Sequence, residues 1–596
     1  MPNAKSPHRF YIPIMGTGFT IDTALAVAKY GISSVLSLVD DVLIEQMRKC
    51  WCERTCEPYQ AISATEHDSR AKRITAYLNL LNKLVQKQIA KLKSSLFESD
   101  SEITRYFELL PDDGNEKQAY QAMLSESNEQ KKHHLQQSLR QQIIPGSIDV
   151  NIMTKIDRPA FREGKMLPYE YSDAAAALRG YAQSDLDSSV VFSAGFNPHL
   201  YGYLTQFEDF FPDQNNALKK RICLKVSDYR SATIQGKYLA KHGLWVSEYR
   251  IESPLNCGGH AFINDGQLFG PILEEFKQRK DEFVESLHAL YKNALKNLKK
   301  ICSDNPHPVK ITAQGGVGTH EEHEFLMNHY KLDAVGWGSP FLLVPEVTNV
   351  DAEQLNQLLT AQPYLSNSSP LGIPFWNITM SASENARRQH IEQGTPGSLC
   401  RKGFAKLNTE FGEPPICMAS REYQQMKLEA LENDTSLSDQ QLNALKEITL
   451  NKSCICHDLA AGATIKNNID LKVTGAICPG PNLVSFNKIV SLKDMVAHIY
   501  GRLSLLTNPD RPHLFISELR LQINYLLGEI KNISLGLPAR SQQKLCEVKD
   551  NLSKGVTYYQ NLAKEKFTEH QEKFLSALQE LQKELEAILI PALAQK

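Results

Sequence analysis

Eight short apolar runs divide the first 340 residues of this chain, and helical patterns separate most of them. The runs are Tyr11–Met15, Ser34–Leu38, Ile148–Met153, Ser189–Ser193, Arg221–Val226, Leu244–Glu248, Val309–Ala313 and Leu332–Val335. Asp22–Tyr30 lies between the first two, Arg230–His242 between the fifth and sixth, and Ile272–Lys300 between the sixth and seventh. Strands that alternate with helices imply parallel βα units, because a parallel partner needs a crossover long enough to hold a helix. Eight units is the number that closes a barrel. The expected fold is an α/β (β/α)8 TIM barrel built from residues 1–40 and 148–350.

The second and third runs are too far apart for one βα loop. Residues 41–147 therefore read as an insertion, and Ile74, Tyr77, Leu78, Leu81, Leu84, Val85 and Leu92 recur in it at helical spacing. It is expected to be a helical cap packed on the barrel, or a lid, since it leaves from the end of the second strand. Residues 351–510 are mixed and turn-rich, and 511–596 read as helical. In that last region Phe574, Leu578, Leu581, Leu585 and Ile588 form one apolar seam. The seam is expected to pack on its own chain, with a homodimer coiled coil as the alternative.

At 596 residues, the chain is expected to form more than one core. Its net charge of −2 gives no global attraction to nucleic acid or to an anionic membrane. No run of about 18 apolar residues suggests a membrane span. The N-terminal stretch lacks a long apolar core and does not read as a signal peptide, so a cytoplasmic location is expected.

Two successive strand-to-helix turns are stripped of side chains. One carries Gly315-Gly316-Val317-Gly318 and the other Gly336-Trp337-Gly338-Ser339. Glycine there lets backbone N–H groups approach an anion, and a following helix adds its positive dipole end. Loops after the seventh and eighth barrel strands are where a phosphate commonly sits. The pair reads as the seat of a phosphorylated cofactor, FMN, held by Gly315, Gly316, Gly338 and Ser339. Upstream, Cys257-Gly258-Gly259-His260 lies just past the sixth strand, on the same face. Paired glycines let the backbone lie flat against a ring. A histidine there is a candidate catalytic residue, able to exchange a proton near neutral pH.

These motifs, in chain order, resemble the nitronate monooxygenase family, formerly 2-nitropropane dioxygenases, which also includes flavin-dependent enoyl-ACP reductases. PIMGTGFTIDTALAVAKYG resembles the family's first strand and turn, DVNIM its third strand, and Cys257-Gly258-Gly259-His260 its Ala-Gly-Gly-His. ITAQGGVG and VGWGSPFLL resemble its two phosphate loops, and EQGTPGSLCRKGFAKLN a segment after the barrel. The resemblance covers roughly residues 10–410 with two large insertions. It implies a non-covalently bound FMN, with Met15 and Gly16 meeting the ring, Asn151 bonding its edge and Gly258 and Gly259 lying beside it. It implies His260 as the base or substrate-polarising group. Lys225, at the end of the fifth strand, would stabilise a reduced, anionic flavin. The chain departs from the family at Ala261-Phe262, where an arginine or similar polar residue usually follows the histidine. It departs also at Thr395, in place of an arginine, and at Cys257, in place of an alanine.

The leading expectation is an FMN-dependent oxidoreductase acting on a small organic substrate. One alternative is an enoyl-thioester reductase of lipid or polyketide synthesis, taking an acyl-thioester. Another is a non-catalytic flavin-binding scaffold for a protein partner. Of twelve cysteines, Cys50, Cys52 and Cys56 lie close together, and Cys400, Cys417, Cys454, Cys456 and Cys478 fall after the barrel. Buried free thiols are the default for the latter group, and a zinc or iron–sulfur site the alternative. Glu321-Glu322-His323-Glu324 reads as a carboxylate-rich helix start suited to the dipole rather than as a metal site.

Overall fold

A computed structural model describes residues 6–193, 195–360, 362–378, 381–566 and 571–591. The eight runs form one closed sheet of strands β1 (Phe10–Ile12), β2 (Ser33–Ser37), β3 (Ile148–Met153), β4 (Ser188–Ser193), β5 (Lys220–Val226), β6 (Val246–Glu252), β7 (Lys310–Gln314) and β8 (Ala334–Gly336). They follow chain order around the barrel, and β8 closes on β1 with Phe10 opposite Val335. Every adjacent pair is parallel. The fold is the expected TIM barrel.

One strand boundary differs in a way that matters. The sixth run was expected to end at Glu248, yet β6 continues to Glu252. The stretch Glu248-Tyr249-Arg250-Ile251-Glu252 alternates, so its apolar residues pack outward while its three charges enter the barrel. Charges in the middle of a strand hide it from a search for apolar runs. Inside the barrel, Arg250 pairs with Glu248 at 2.7 Å and lies 3.9 Å over the Tyr11 ring. Thr312 donates to Glu248. Val35, Val191 and Cys223, packed with Ile14, form a small interior cluster separate from the main core. The main core lies between the sheet and its helices.

Residues 41–147 hold five helices: Asp41–Thr55, Ser69–Ser94, Glu102–Leu109, Asn115–Ser125 and Glu129–Gln142. The longest packs along Asp173–Ala182 and Thr23–Val27, and its Tyr77 hydroxyl donates to the Ile21 carbonyl. The 102–109 helix packs at the β2 entry, where Tyr30 donates to Glu102. After the barrel, β9 (Pro363–Ser366) and β10 (Phe375–Ile378) form an antiparallel hairpin. Three helices, Leu514–Ser534, Gln542–Lys566 and Gln571–Ala587, close the chain. The seam from Phe574 to Ile588 is buried against the first two of these, which fills the face a coiled coil would use. Among the described residues, no helix is long and apolar enough to cross a membrane.

Candidate active site at the barrel mouth

The C-terminal ends of the strands carry a ring of polar side chains. Lys225 on β5 forms an ion pair with Glu252 on β6 at 2.9 Å; Glu252 is buried and Lys225 half-buried. Gln314 at the end of β7 donates to the same carboxylate at 2.8 Å. The Tyr11 hydroxyl reaches Gln314 in turn, at 3.3 Å. Across the barrel, Asn151 on β3 donates through Nδ2 to Ser193 Oγ at the end of β4, at 3.2 Å. Its Oδ1 is buried and has no hydrogen-bond partner among the described residues. A buried carbonyl oxygen left this way costs on the order of 1–3 kcal/mol unless something donates to it.

The loop after β6 lies at this mouth. Gly258 and Gly259 have φ of +116° and +81°, values that an L side chain rarely adopts. Their surroundings differ. A Cβ on Gly258 would stand 2.1 Å from the Cys478 carbonyl oxygen, whereas Gly259 meets nothing within 4 Å. His260 follows, tied to the hairpin: it bridges to Phe375, its Nε2 is 2.7 Å from Ser369 Oγ, and Trp376 donates to the Gly259 carbonyl. Burial, then the charges of Lys225 and Lys155, lower its pKa to about 3. The imidazole is therefore neutral near pH 7. Desolvation disfavours the cation and two lysines oppose it, so the shift runs away from the neutral range that the sequence suggested.

The two glycine-rich turns leave adjacent strands at the same end, with Gly336 paired to Gln314. The Asn256–Cys257 loop packs on both. A Cβ on Gly338 would meet Cys257 Cβ at 2.4 Å, and one on Gly315 would meet Asn256 N at 3.0 Å. The first turn leads into the helix His320–His329; the second enters a five-residue 3-10 turn, Ser339–Leu343, rather than the expected α-helix. Glu322 takes the Gly318 N–H at 2.9 Å and pairs with Arg511, which also donates to the Gly316 carbonyl. This is what the acidic helix start does: it braces the turn.

Met15 and Gly16 lie past β1, with Gly16 beside Cys478 Sγ. The segment 475–480 is buried across the mouth, and Gly480 sits against Ser339 Oγ and Gly258 N. The flavin-contact candidates Met15, Gly16, Asn151, Lys225, Gly258, Gly259, His260, Gly315, Gly316, Gly338 and Ser339 thus fall at one end of the barrel. Cys478 belongs to this mouth. Cys400, Cys417 and Cys456 gather beside the mouth rather than in it, around Ala405 and Ala419. Cys50 and Cys52 lie on the helix Asp41–Thr55 and Cys56 caps it. Among the described residues, no group of three or more His, Cys, Asp or Glu is arranged to hold a metal ion. A surface cleft of about 530 Å³, lined by residues such as Arg48, Glu57 and Lys83, lies on the insertion and not at the mouth.

No protein-family model matches this chain, and no curated protein matches it. Among solved structures it is similar to the enoyl reductase domain of MlnA from the macrolactin biosynthesis cluster of Bacillus amyloliquefaciens, with 15% identity over 66% of this chain and 88% of that one, at a TM-score of 0.32. It is similar also to nitroalkane oxidase from Streptomyces ansochromogenes, with 9% identity over 83% and 94% of the two chains, at a TM-score of 0.31. The barrel assignment rests on the strand order itself.

Sequence reasoning missed Ser193, Glu252, Gln314, Lys155 and Ser369. The alternation of charges at 248, 250 and 252 was a usable signal for Glu252, since three charges of one face in a strand require partners. Ser369 carried none, because its approach to His260 depends on the fold of the β9–β10 hairpin.

Proposed function

We propose that this chain is an FMN-dependent oxidoreductase of the nitronate monooxygenase type, acting on a small organic substrate at the C-terminal mouth of the barrel. The observation that carries this reading is Asn151 Oδ1, a buried acceptor without a donor among the described residues, on a strand of the same mouth that holds the Lys225–Glu252 pair. A flavin ring edge offers the N–H this oxygen needs, and Lys225 suits the negative charge of its reduced form. The residues present fit the group. Gly259 faces open space and can lie against a ring, whereas Gly258 is given over to the contact with Cys478. The Gly318 N–H is already held by Glu322 and the Gly315 N–H by the Cys257 thiol, so a phosphate would fall first to the amides of Gly316, Gly338 and Ser339, and Gly315 would have to release Cys257 to join them. Met15 and Gly16 would close the ring's other side.

Bound FMN would supply the electron transfer. The protein's own residues orient, desolvate and polarise. The 475–480 segment shields the mouth from water, which strengthens each polar contact inside. His260, neutral and held at Nε2 by Ser369, is suited to polarise a substrate oxygen by hydrogen bonding rather than to carry a proton as a cation. That property favours a second reading, an enoyl-thioester reductase, whose acceptor carbonyl needs such polarisation.

The absorbance spectrum of the freshly isolated full chain tests the first claim: a flavin spectrum is expected, with FMN released on denaturation. Protein that is colourless and takes up no added FMN overturns it. Oxygen consumption with a nitronate supports the first reading. Turnover of an enoyl-thioester with a reduced nicotinamide and no oxygen use supports the second.

A further inference from the structure

We propose that Cys400 and Cys417 form a redox-active dithiol that closes to a disulfide by exchange with a small-molecule disulfide, beside the barrel mouth. The backbone brings them together. Ser398 donates to the Ala419 carbonyl at 2.9 Å and Arg421 donates to the Ser398 carbonyl at 2.8 Å, so the two segments run side by side. Cys400 and Cys456 both pack against Cys417 in one small cluster with Ala405 and Ala419. Cys417 is buried, whereas Cys400 is half-buried next to Leu399, which is 69% exposed. Cys400 is thus the more accessible of the two residues.

The surroundings of Cys400 favour its thiolate. The Cys417 thiol beside it, the charges of Lys406 and Arg158 and the Gly403 N–H hold its pKa below that of a free thiol, against the opposing effect of partial burial. Reactive cysteines sit in electropositive, partly exposed places of this kind, and inert ones are buried among apolar atoms. Cys400 also holds a left-handed backbone, φ +49°, which a non-glycine residue adopts at a cost of order 1–3 kcal/mol.

The chemistry balances as follows. The Cys400 thiolate attacks one sulfur of a small disulfide, RS–SR; a Cys400–SR bond forms and RS⁻ leaves. Cys417, still protonated, then loses its proton to the released thiolate and attacks the Cys400 sulfur, expelling the second RS⁻. Two protein thiols are oxidised and one small disulfide is reduced to two thiols. The loop involved is fastened to the mouth: Lys402 pairs with Asp40 just past β2, and Arg158, past β3, donates to the Gly403 carbonyl.

The test uses the full chain, reduced and then exposed to oxidised glutathione, with peptide mapping by mass spectrometry. A Cys400–Cys417 linked peptide is expected. Cys417→Ser is expected to accumulate one glutathione adduct at Cys400, and Cys400→Ser none in this segment. In the unsubstituted protein at neutral pH, Cys400 is expected to alkylate about 10-fold faster than exposed Cys546, a gain in thiolate fraction partly offset by lower nucleophilicity. This last reading needs no variant to fold. A Cys400 slower than Cys546, or glutathione found only at other cysteines, overturns the proposal. Zinc or iron retained by the isolated protein, with Cys400 protected from alkylation, overturns it in favour of a metal site.

Discussion

The ammonium of Lys225 lies 2.9 Å from the carboxylate of Glu252, across the adjacent ends of β5 and β6. The side chains are 9% and 6% exposed, so each charge depends on the other for the solvation that water no longer gives. Gln314 adds one neutral donor. The pair fixes both a cation and its position in the mouth.

Removing one member should therefore cost far more than removing both. Lys225→Met is expected to destabilise the protein by about 3 kcal/mol, because it strands a buried carboxylate. The double variant Lys225→Met, Glu252→Gln should recover most of that loss. Urea denaturation of the three proteins measures the difference; equal losses in the single and double variants would show that the pair is not mutually dependent.

The two glycines before His260 separate by substitution. Gly258→Ala places a methyl group 2.1 Å from the Cys478 carbonyl oxygen, so the covering segment must shift. Limited proteolysis within 475–480 should rise in that variant. Gly259→Ala meets open space and carries only the strain of φ +81°, about 1–2 kcal/mol. It should keep the segment protected while weakening FMN retention.

His260→Ala is expected to keep bound flavin and to lose turnover by about 10²–10³-fold, the range for losing one polarising donor. Because the imidazole is already neutral at pH 7, the rate of the unsubstituted protein should show no inflection near 6.5 from this group. An inflection there that vanishes in His260→Ala would return the residue to an acid–base role.

Acid should weaken the fold well before the carboxylates titrate. Burial lowers His8 and His513 to about 4 and His323 to about 3, against 6.5 for an unfolded chain. The unfolded state thus takes up protons first. The contribution is full above 6.5 and is lost as pH falls through 6.5 toward these folded values. At pH 5 the loss is roughly 2 kcal/mol for each such histidine. A urea midpoint that is the same at pH 7 and pH 5 would contradict this.

Glu518 has the opposite sign. It accepts from the Phe269 N–H that opens the helix Phe269–Asn297 and from the Tyr559 hydroxyl, yet burial raises its pKa to about 8. The folded state holds this proton longer than the unfolded one. Its contribution is full below 4.5 and is lost as pH rises through 8. Glu518→Gln should therefore gain stability over the parent between pH 5 and pH 8, read as a growing difference in melting temperature.

The barrel was legible from its runs because parallel strands buried on both faces are short, apolar and separated by helices. The glycine turns were legible for a related reason: close backbone approach leaves a compositional trace at 315, 316 and 338. What stayed hidden depended on contacts between distant segments. The charges on β6 ended that strand too early in the reading. The carbonyl of Cys478 over Gly258, and Ser369 at His260, come from residues more than 100 positions downstream of the motif they complete. The state of His260 was likewise unreadable, since burial and two lysines set it rather than its neighbours in sequence.

Arg511 stands where the barrel has ended and the closing helices begin, yet its guanidinium holds Glu322 and the Gly316 carbonyl, and Leu514 donates to the same carboxylate. The barrel is therefore not a portable module. A fragment cut ahead of residue 511 would keep all eight strands and lose the brace on its seventh loop, so anyone trimming this chain to a minimal barrel would have to carry the far helices along.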